Sequence, residues 1–184
     1  MRGLDITIRK RCENEGIRLR KALQIHAYDP LPARRLAQYL KVPVISPLEI
    51  PGIDEQLIQI LLADNAGWSA LTLPLGKEKH LIIYNPNHAS TRYESNIMHE
   101  LAHLLLGHQP IRFHQLSGGL LSREFRIADE QAAEYLGGCL QIPARGLDWA
   151  FQRGMTLQEI ANHFGASLQM VRYRCNMTGY EHKK

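Results

Sequence analysis

Apolar positions recur along this chain first at helical and later at strand spacing, and the changes of period mark out its elements. Residues 8 to 25 read as a basic helix, with Ile17, Leu19, Leu23 and Ile25 set among six Lys/Arg between Arg9 and Lys21. In DPLPARRLAQYL, Pro32 suits a first helical turn, and Leu31, Leu36, Tyr39 and Leu40 recur at helical spacing, which predicts a second helix. A short VPVI strand follows. Ser46 and Glu49 have the spacing of a capping box, and Asp54 to Ala63 predicts a third helix that stops near Asn65 to Gly67. The period then drops to two: WSALTLPL and HLIIY, separated by Gly76-Lys77-Glu78-Lys79, predict a β-hairpin. On this reading residues 46 to 84 are scaffold.

Thr91, followed three residues later by Glu94, signals the start of another helix, and Gly107 is a good left-handed stop for it. A further helix is expected over roughly Ser122 to Leu140, with Phe125, Ala128, Ala132, Tyr135, Leu136 and Cys139 as its apolar stripe. Near the C-terminus, Thr156 to Glu159 forms another capping box. Leu157, Ile160 and Ala161 then face inward, a Gly165-Ala166-Ser167 turn follows, and Leu168 and Val171 mark a second helix. The spacing resembles a helix-turn-helix, in which Gln169, Arg172 and Arg174 would lie on the outer side as groove or phosphate contacts. The same pair could instead pack on the preceding core, with Phe164 and Tyr173 supplying contact, and this is the preferred expectation.

The chemistry lies in NIMHELAHLLLGHQP, residues 96 to 110, where three histidines and one glutamate interrupt an apolar helix. His99 and His103 are four positions apart, so their imidazoles project from one face a turn apart and form a bidentate claw. Glu100, beside the first histidine, stands where HExxH zinc hydrolases carry a general base. Ile97, Met98, Leu101, Leu104, Leu105 and Leu106 surround the motif, and unpaired imidazoles would be costly to bury among them. A metal would satisfy them. His108 lies five positions past His103, rotated about 140° from its face and beyond the expected helix end, so it is not expected as a ligand. A catalytic zinc takes three protein ligands, and IADEQAAEYLGG offers Asp129, Glu130 and Glu134, of which Glu130 and Glu134 point away from the apolar stripe together. Periodicity alone does not choose between them, or between a ligand and a solvated acidic face.

Composition narrows the setting. The chain has 184 residues, a formal net charge of +4 and three cysteines. Cys12, Cys139 and Cys175 form no CxxC pair, so neither a disulfide framework nor a thiolate zinc site is indicated, and a reducing cytoplasmic setting is expected. The basic N-terminus has no apolar stretch behind it and no run is long enough for a membrane span, so the protein is expected to be neither exported nor inserted. The net charge permits contact with nucleic acid without requiring it.

Three blocks, PLPARRLAQYLKVPV, LIIYNPNHASTRYESNIMHELAHLLLGH and DEQAAEYLGGCLQIP, in this order resemble the ImmA/IrrE family of zinc metallopeptidases. The resemblance implies an α+β, zincin-like and gluzincin-like peptidase core over residues 1–150, with HExxH on its active helix, and a C-terminal helix pair over residues 151–184. It implies one Zn2+ per chain held by His99, His103 and Glu130, with Glu100 as catalytic base. The implied activity is that of a zinc endopeptidase acting on a protein, such as a transcriptional repressor or similar regulator. Members of the family often carry an acidic residue where Ala132 stands and a leucine where Gln141 stands. His88, Tyr93, His114 and Tyr173 are candidate donors to the oxyanion, Arg92 could orient the turn or a carboxylate, and HLIIY is a candidate edge for an extended substrate. The competing reading is a DNA-binding regulator with a structural or vestigial zinc site. A complete HExxH favours the peptidase, because a structural site has no need of Glu100, and any DNA contact through the C-terminal helices is expected to be weak.

Overall fold

The computed structural model describes residues 4–63, 67–76, 79–108, 112–115, 121–124 and 126–180, with 112–115 and 121–124 as backbone. Helix α1 (Ile6–Ala22) is followed by α2 (Ala33–Tyr39), strand β1 (Val44–Ile45), a 3-10 turn (Pro47–Glu49) and α3 (Glu55–Leu61). Strands β2 (Ala70–Pro74) and β3 (His80–Tyr84) lead into α4 (Ser90–Leu106), and β4 (Arg112–Gln115) and β5 (Leu121–Glu124) into α5 (Ile127–Gln141). Helices α6 (Ala144–Gln152), α7 (Leu157–Phe164) and α8 (Leu168–Thr178) complete a mostly helical α+β fold. No helix among the described residues is long and apolar enough to cross a membrane.

The core forms where α1 and α4 close on α5. Cys12 and Leu19 from α1, Ile97, Met98 and Leu101 from α4, and Ala133, Leu136 and Leu140 from α5 are buried together. Two adjacent glycines of α5 face its neighbours. A Cβ on Gly137 would lie 3.4 Å from His99 Cα, an ordinary contact, whereas one on Gly138 would lie 2.6 Å from Arg174 Cδ. The first glycine therefore lies against the backbone of α4 with room for no more than a methyl, and the second admits the stem of an arginine from α8. Beyond the end of α5, Ile142, Leu147, Ala150, Ile160, Phe164 and Val171 form a second cluster in which α6, α7 and α8 pack together. All three cysteines are buried free thiols.

The three-stranded sheet has the order β1-β3-β2, with Val44 parallel to Ile82 and Leu71 antiparallel to Ile83. The expected hairpin is present, but HLIIY is the central strand and not an edge. Val44–Ile45 reaches it by a long-range parallel pairing that no local pattern announces, and among the described residues β2 is left with an open edge. The helix expected over Ser122 to Leu140 begins only at Ile127, because Leu121–Glu124 pairs antiparallel with Arg112–Gln115. A Gly118-Gly119 pair between those two stretches is the hairpin signal that would have separated them. Ala128, assigned to the apolar stripe, is exposed, and Phe125 lies outside the described residues.

Thr91 lies inside α4 rather than at its cap, which is Ala89. Glu94 serves a different helix: its carboxylate accepts from the Ala33 N–H at 2.7 Å and so caps α2 from across the fold. Gly107 ends α4 in the left-handed conformation, φ 69°. The capping box at Thr156 and Glu159 forms as expected, with the Thr156 N–H donating to the Glu159 carboxylate at 2.7 Å.

Two buried guanidinium groups hold the C-terminal end of α5. Arg20 Nη2 donates to the carbonyls of Leu140 at 2.8 Å and Gln141 at 3.0 Å, and its Nη1 donates to His26 and Asp29 carbonyls. Burial pulls the Arg20 pKa down to about 10, which still leaves it charged at neutral pH. Arg174 Nε donates to the Ile142 carbonyl at 2.9 Å and its Nη2 to Glu13 at 2.8 Å. The expectation that Arg174 faces outward is therefore wrong. It is 0% exposed, held between α5 and α1, whereas Gln169 and Arg172 are exposed. Helical spacing placed Arg174 near the outer side without registering that two acceptors from other elements could take it inside.

Arg174→Ala should accordingly destabilise the fold by about 2–4 kcal/mol, since it strands the Ile142 carbonyl, leaves the Glu13 carboxylate with only the Tyr135 hydroxyl as partner and opens a cavity beside Gly138. Arg172→Ala should stay within about 0.5 kcal/mol of the parent. Urea denaturation of both variants checks this, and equal effects would contradict it.

Candidate metal centre

Helix α4 supplies two imidazoles one turn apart, and the first turn of α5 supplies a carboxylate that meets them. His103 Nε2 lies 3.1 Å from His99 Nε2, His99 Nε2 lies 3.3 Å from Glu130 Oε2, and His103 Nε2 lies 3.6 Å from Glu130 Oε1. Ligand atoms about 2.1 Å from a tetrahedral ion stand about 3.4 Å from one another, so these separations bracket the value such an ion needs. Two neutral nitrogen donors and one carboxylate oxygen are also the donor types zinc accepts. Among the described residues, His99, His103 and Glu130 form the one group with metal-ligand spacing, and each is partly buried. Glu134, one turn further along α5, does not join it. Of the two carboxylates that share a helix face, the crossing of α5 on α4 brings Glu130 to the histidines.

Glu100 is buried, and its Oε2 accepts a hydrogen bond from Thr72 Oγ1 at 2.7 Å. A hydroxyl on β2 thus fixes a carboxylate on α4. The scaffold assigned to residues 46 to 84 reaches the site at this point. Thr72 had no motif to mark it, and only the packing of the hairpin on α4 brings it there.

A cleft of about 400 Å3 opens beside His99, lined by Asn96, His99, Glu130, Glu134, Ser167 and Gln169 among others. Its far wall is the first turn of α8. Asn96 lies three residues before His99 on the same helix face, and its buried Nδ2 has no partner among the described residues. It is a buried, unspent donor on a residue that lines the cleft. Its spacing from His99 is the signal in the sequence that marks it.

Of the four candidate oxyanion donors, His88, Tyr93 and Tyr173 do not line this cleft. Tyr93 packs against Tyr84, with ring centroids 5.3 Å apart. The Tyr173 hydroxyl is held protonated first by burial and then by the negative charge of Glu134. Burial, with a smaller effect from the Arg92 charge, lowers the His88 pKa. The side chain of His114 lies outside the described residues.

His108 takes no place in the metal-spaced group, but it does not turn away from His103 as helical rotation implied. Gly107 turns the chain back so that the His108 N–H bonds the His103 carbonyl at 3.0 Å. The two rings then meet with Nδ1 to Nδ1 at 3.0 Å. Burial lowers the His108 pKa, against the opposing charge of Asp129.

A family model described as Peptidase M78, the IrrE N-terminal-like domain, matches residues 54–176, well over half of the chain. No curated protein matches the sequence.

Purified protein should hold about one zinc per chain, and His99→Ala, His103→Ala and Glu130→Ala should each remove it, because two protein ligands rarely retain the ion. Glu134→Ala should keep it. Metal analysis after dialysis decides between the carboxylates: loss with Glu134→Ala and retention with Glu130→Ala would reverse the assignment.

Proposed function

Because the chain belongs to the Peptidase M78 family, that of the IrrE N-terminal-like domain, we propose that it is a zinc-dependent endopeptidase acting on a protein, such as a transcriptional repressor or similar regulator. The observation that carries this reading is the tetrahedral spacing of His99, His103 and Glu130 beside a buried, oriented glutamate. These three residues would hold the ion. Zinc bound there supplies a Lewis acid that polarises a peptide carbonyl and acidifies a water.

The chain's own groups do the rest. Glu100 accepts a proton from the attacking water and returns it to the departing amine. Thr72 holds Glu100 Oε2 and leaves Oε1 as the proton acceptor, so the base meets its substrate in one orientation. Asn96 offers an N–H to a substrate carbonyl next to the scissile bond. The edge of β2, which carries Thr72 and is open among the described residues, can pair with an extended segment and bring it to Glu100, so the target must present an unfolded stretch or loop. Residues 1–150 form the peptidase part on this reading. Residues 151–184 form a helix pair that walls the cleft through Ser167, Gln169 and Met170.

The competing reading, a DNA-binding regulator with a vestigial site, draws on the same helix pair. Burial of Arg174 leaves that pair with one arginine fewer for phosphate, and a buried Glu100 held by a hydroxyl has no use in a structural zinc site. Both observations support the peptidase.

Co-expression with regulators encoded beside it should yield a truncated regulator visible by mass spectrometry. Glu100→Gln should keep zinc and fold but lower the cleavage rate by roughly three orders of magnitude, since an amide cannot take the proton. Thr72→Val should lower it about tenfold through loss of one charge-assisted hydrogen bond. Full activity in Glu100→Gln would remove Glu100 from this role.

A further inference from the structure

We propose that His108 and Asp129 form an outer support for the metal ligand His103, setting which of its nitrogens carries the proton. The inference rests on His103 being a ligand and concerns how it is kept fit to bind.

The geometry admits one consistent proton arrangement. His103 points Nε2 at His99 and Glu130, so Nε2 must be bare to bind a cation, and its proton must sit on Nδ1. That Nδ1–H faces His108 Nδ1 at 3.0 Å, which must then be the acceptor. A neutral His108 with a bare Nδ1 carries its own proton on Nε2. His108 Nε2 faces Asp129 Oδ1 at 3.8 Å, beyond direct hydrogen-bond reach, and the negative carboxylate favours the proton on that side through its charge. The chain Asp129, His108, His103 thus selects the tautomer that leaves a lone pair in the metal group.

Local structure explains why helical rotation misses this. Rotation of about 140° applies only while the helix continues. Gly107 adopts φ 69°, a left-handed conformation open to glycine at little cost, and the reversal lays the His108 ring against His103, with centroids 5.0 Å apart. His108 is only 13% exposed in its side chain, so the contact is enclosed rather than a surface encounter. Asp129 sits next to Glu130 in the first turn of α5, and one turn therefore supplies both a ligand and the charge beside the support of another. Outer hydrogen bonds of this kind orient a ligating imidazole and raise its basicity, and their loss weakens metal binding by about 10- to 100-fold.

The test is zinc affinity, measured by competition with a chromophoric chelator on the full-length protein, together with the visible absorption of the cobalt-substituted form. His108→Ala should weaken zinc by about 10- to 100-fold and change the cobalt spectrum. His108→Asn, whose Oδ1 can occupy the place of the imidazole Nδ1 as acceptor, should recover most of the affinity, and Asp129→Asn should fall between. Thermal melting of the zinc-free proteins separates simple loss of fold, which rescue by Asn would not follow. If His108→Ala keeps parental zinc affinity and cobalt spectrum while His103→Ala loses the metal, the support role is refuted and the metal site stands. If His108→Asn is as weak as His108→Ala, the acceptor role is refuted. If His103→Ala itself retains zinc, the ligand assignment fails and this inference with it.

Discussion

The close approach of α4 and α5 is the constraint on which the site depends. Gly137 faces the backbone of His99 so closely that a methyl there would already touch it, and any larger side chain would prise the helices apart. That separation lets Glu130 reach two imidazoles on the neighbouring helix and sets distances near those of a tetrahedral ion. Glycine within a helix costs about 1 kcal/mol relative to alanine. In α5 Gly138 accepts that cost to admit the Arg174 stem, while Gly137 leaves α4 at methyl-contact distance.

The same helix is held at its other end by charge. Arg20 from α1 and Arg174 from α8 take up carbonyls at the C-terminus of α5, groups that an isolated helix leaves unpaired. Gln141 extends this anchoring, since its Oε1 accepts from Ser95 on α4 and its Nε2 donates to the Gly165 carbonyl in the turn before α8. Ser95 Oγ in turn accepts from the Ser167 N–H. A leucine at 141, frequent in the family the chain resembles, could fill the space but could not make these bonds. The C-terminal helices are thereby tied to the active helix, and the wall they give the cleft is fixed to the residues it faces.

What could be read from the sequence was what local chemistry determines. His99 and His103 share a face because a helix has 3.6 residues per turn, Gly107 stops that helix because it tolerates a left-handed backbone, and the strands flanking Gly76 alternate. The departures lie where a distant element decides. Glu94 had the spacing of a local cap and caps α2 instead. Arg174 had the position of an outward residue and is buried because Glu13 and Ile142 receive it. HLIIY had the pattern of a hairpin strand, and nothing within it could announce the parallel partner that makes it central. Glu130 and Glu134 share one helix face, so only the crossing of α4 and α5 distinguishes them. Thr72 and His108, which act on Glu100 and His103, belong to the same class.

The central claim is that two imidazoles and a carboxylate hold one zinc in an open four-coordinate site. X-ray absorption at the zinc edge measures the donors directly. The account predicts nitrogen and oxygen neighbours alone, about four of them at about 2.0–2.1 Å, with imidazole scattering from two histidines. A sulfur shell near about 2.3 Å, or scattering from fewer than two imidazoles, would contradict it, since the first would require a cysteine and the second would take His99 or His103 out of the site.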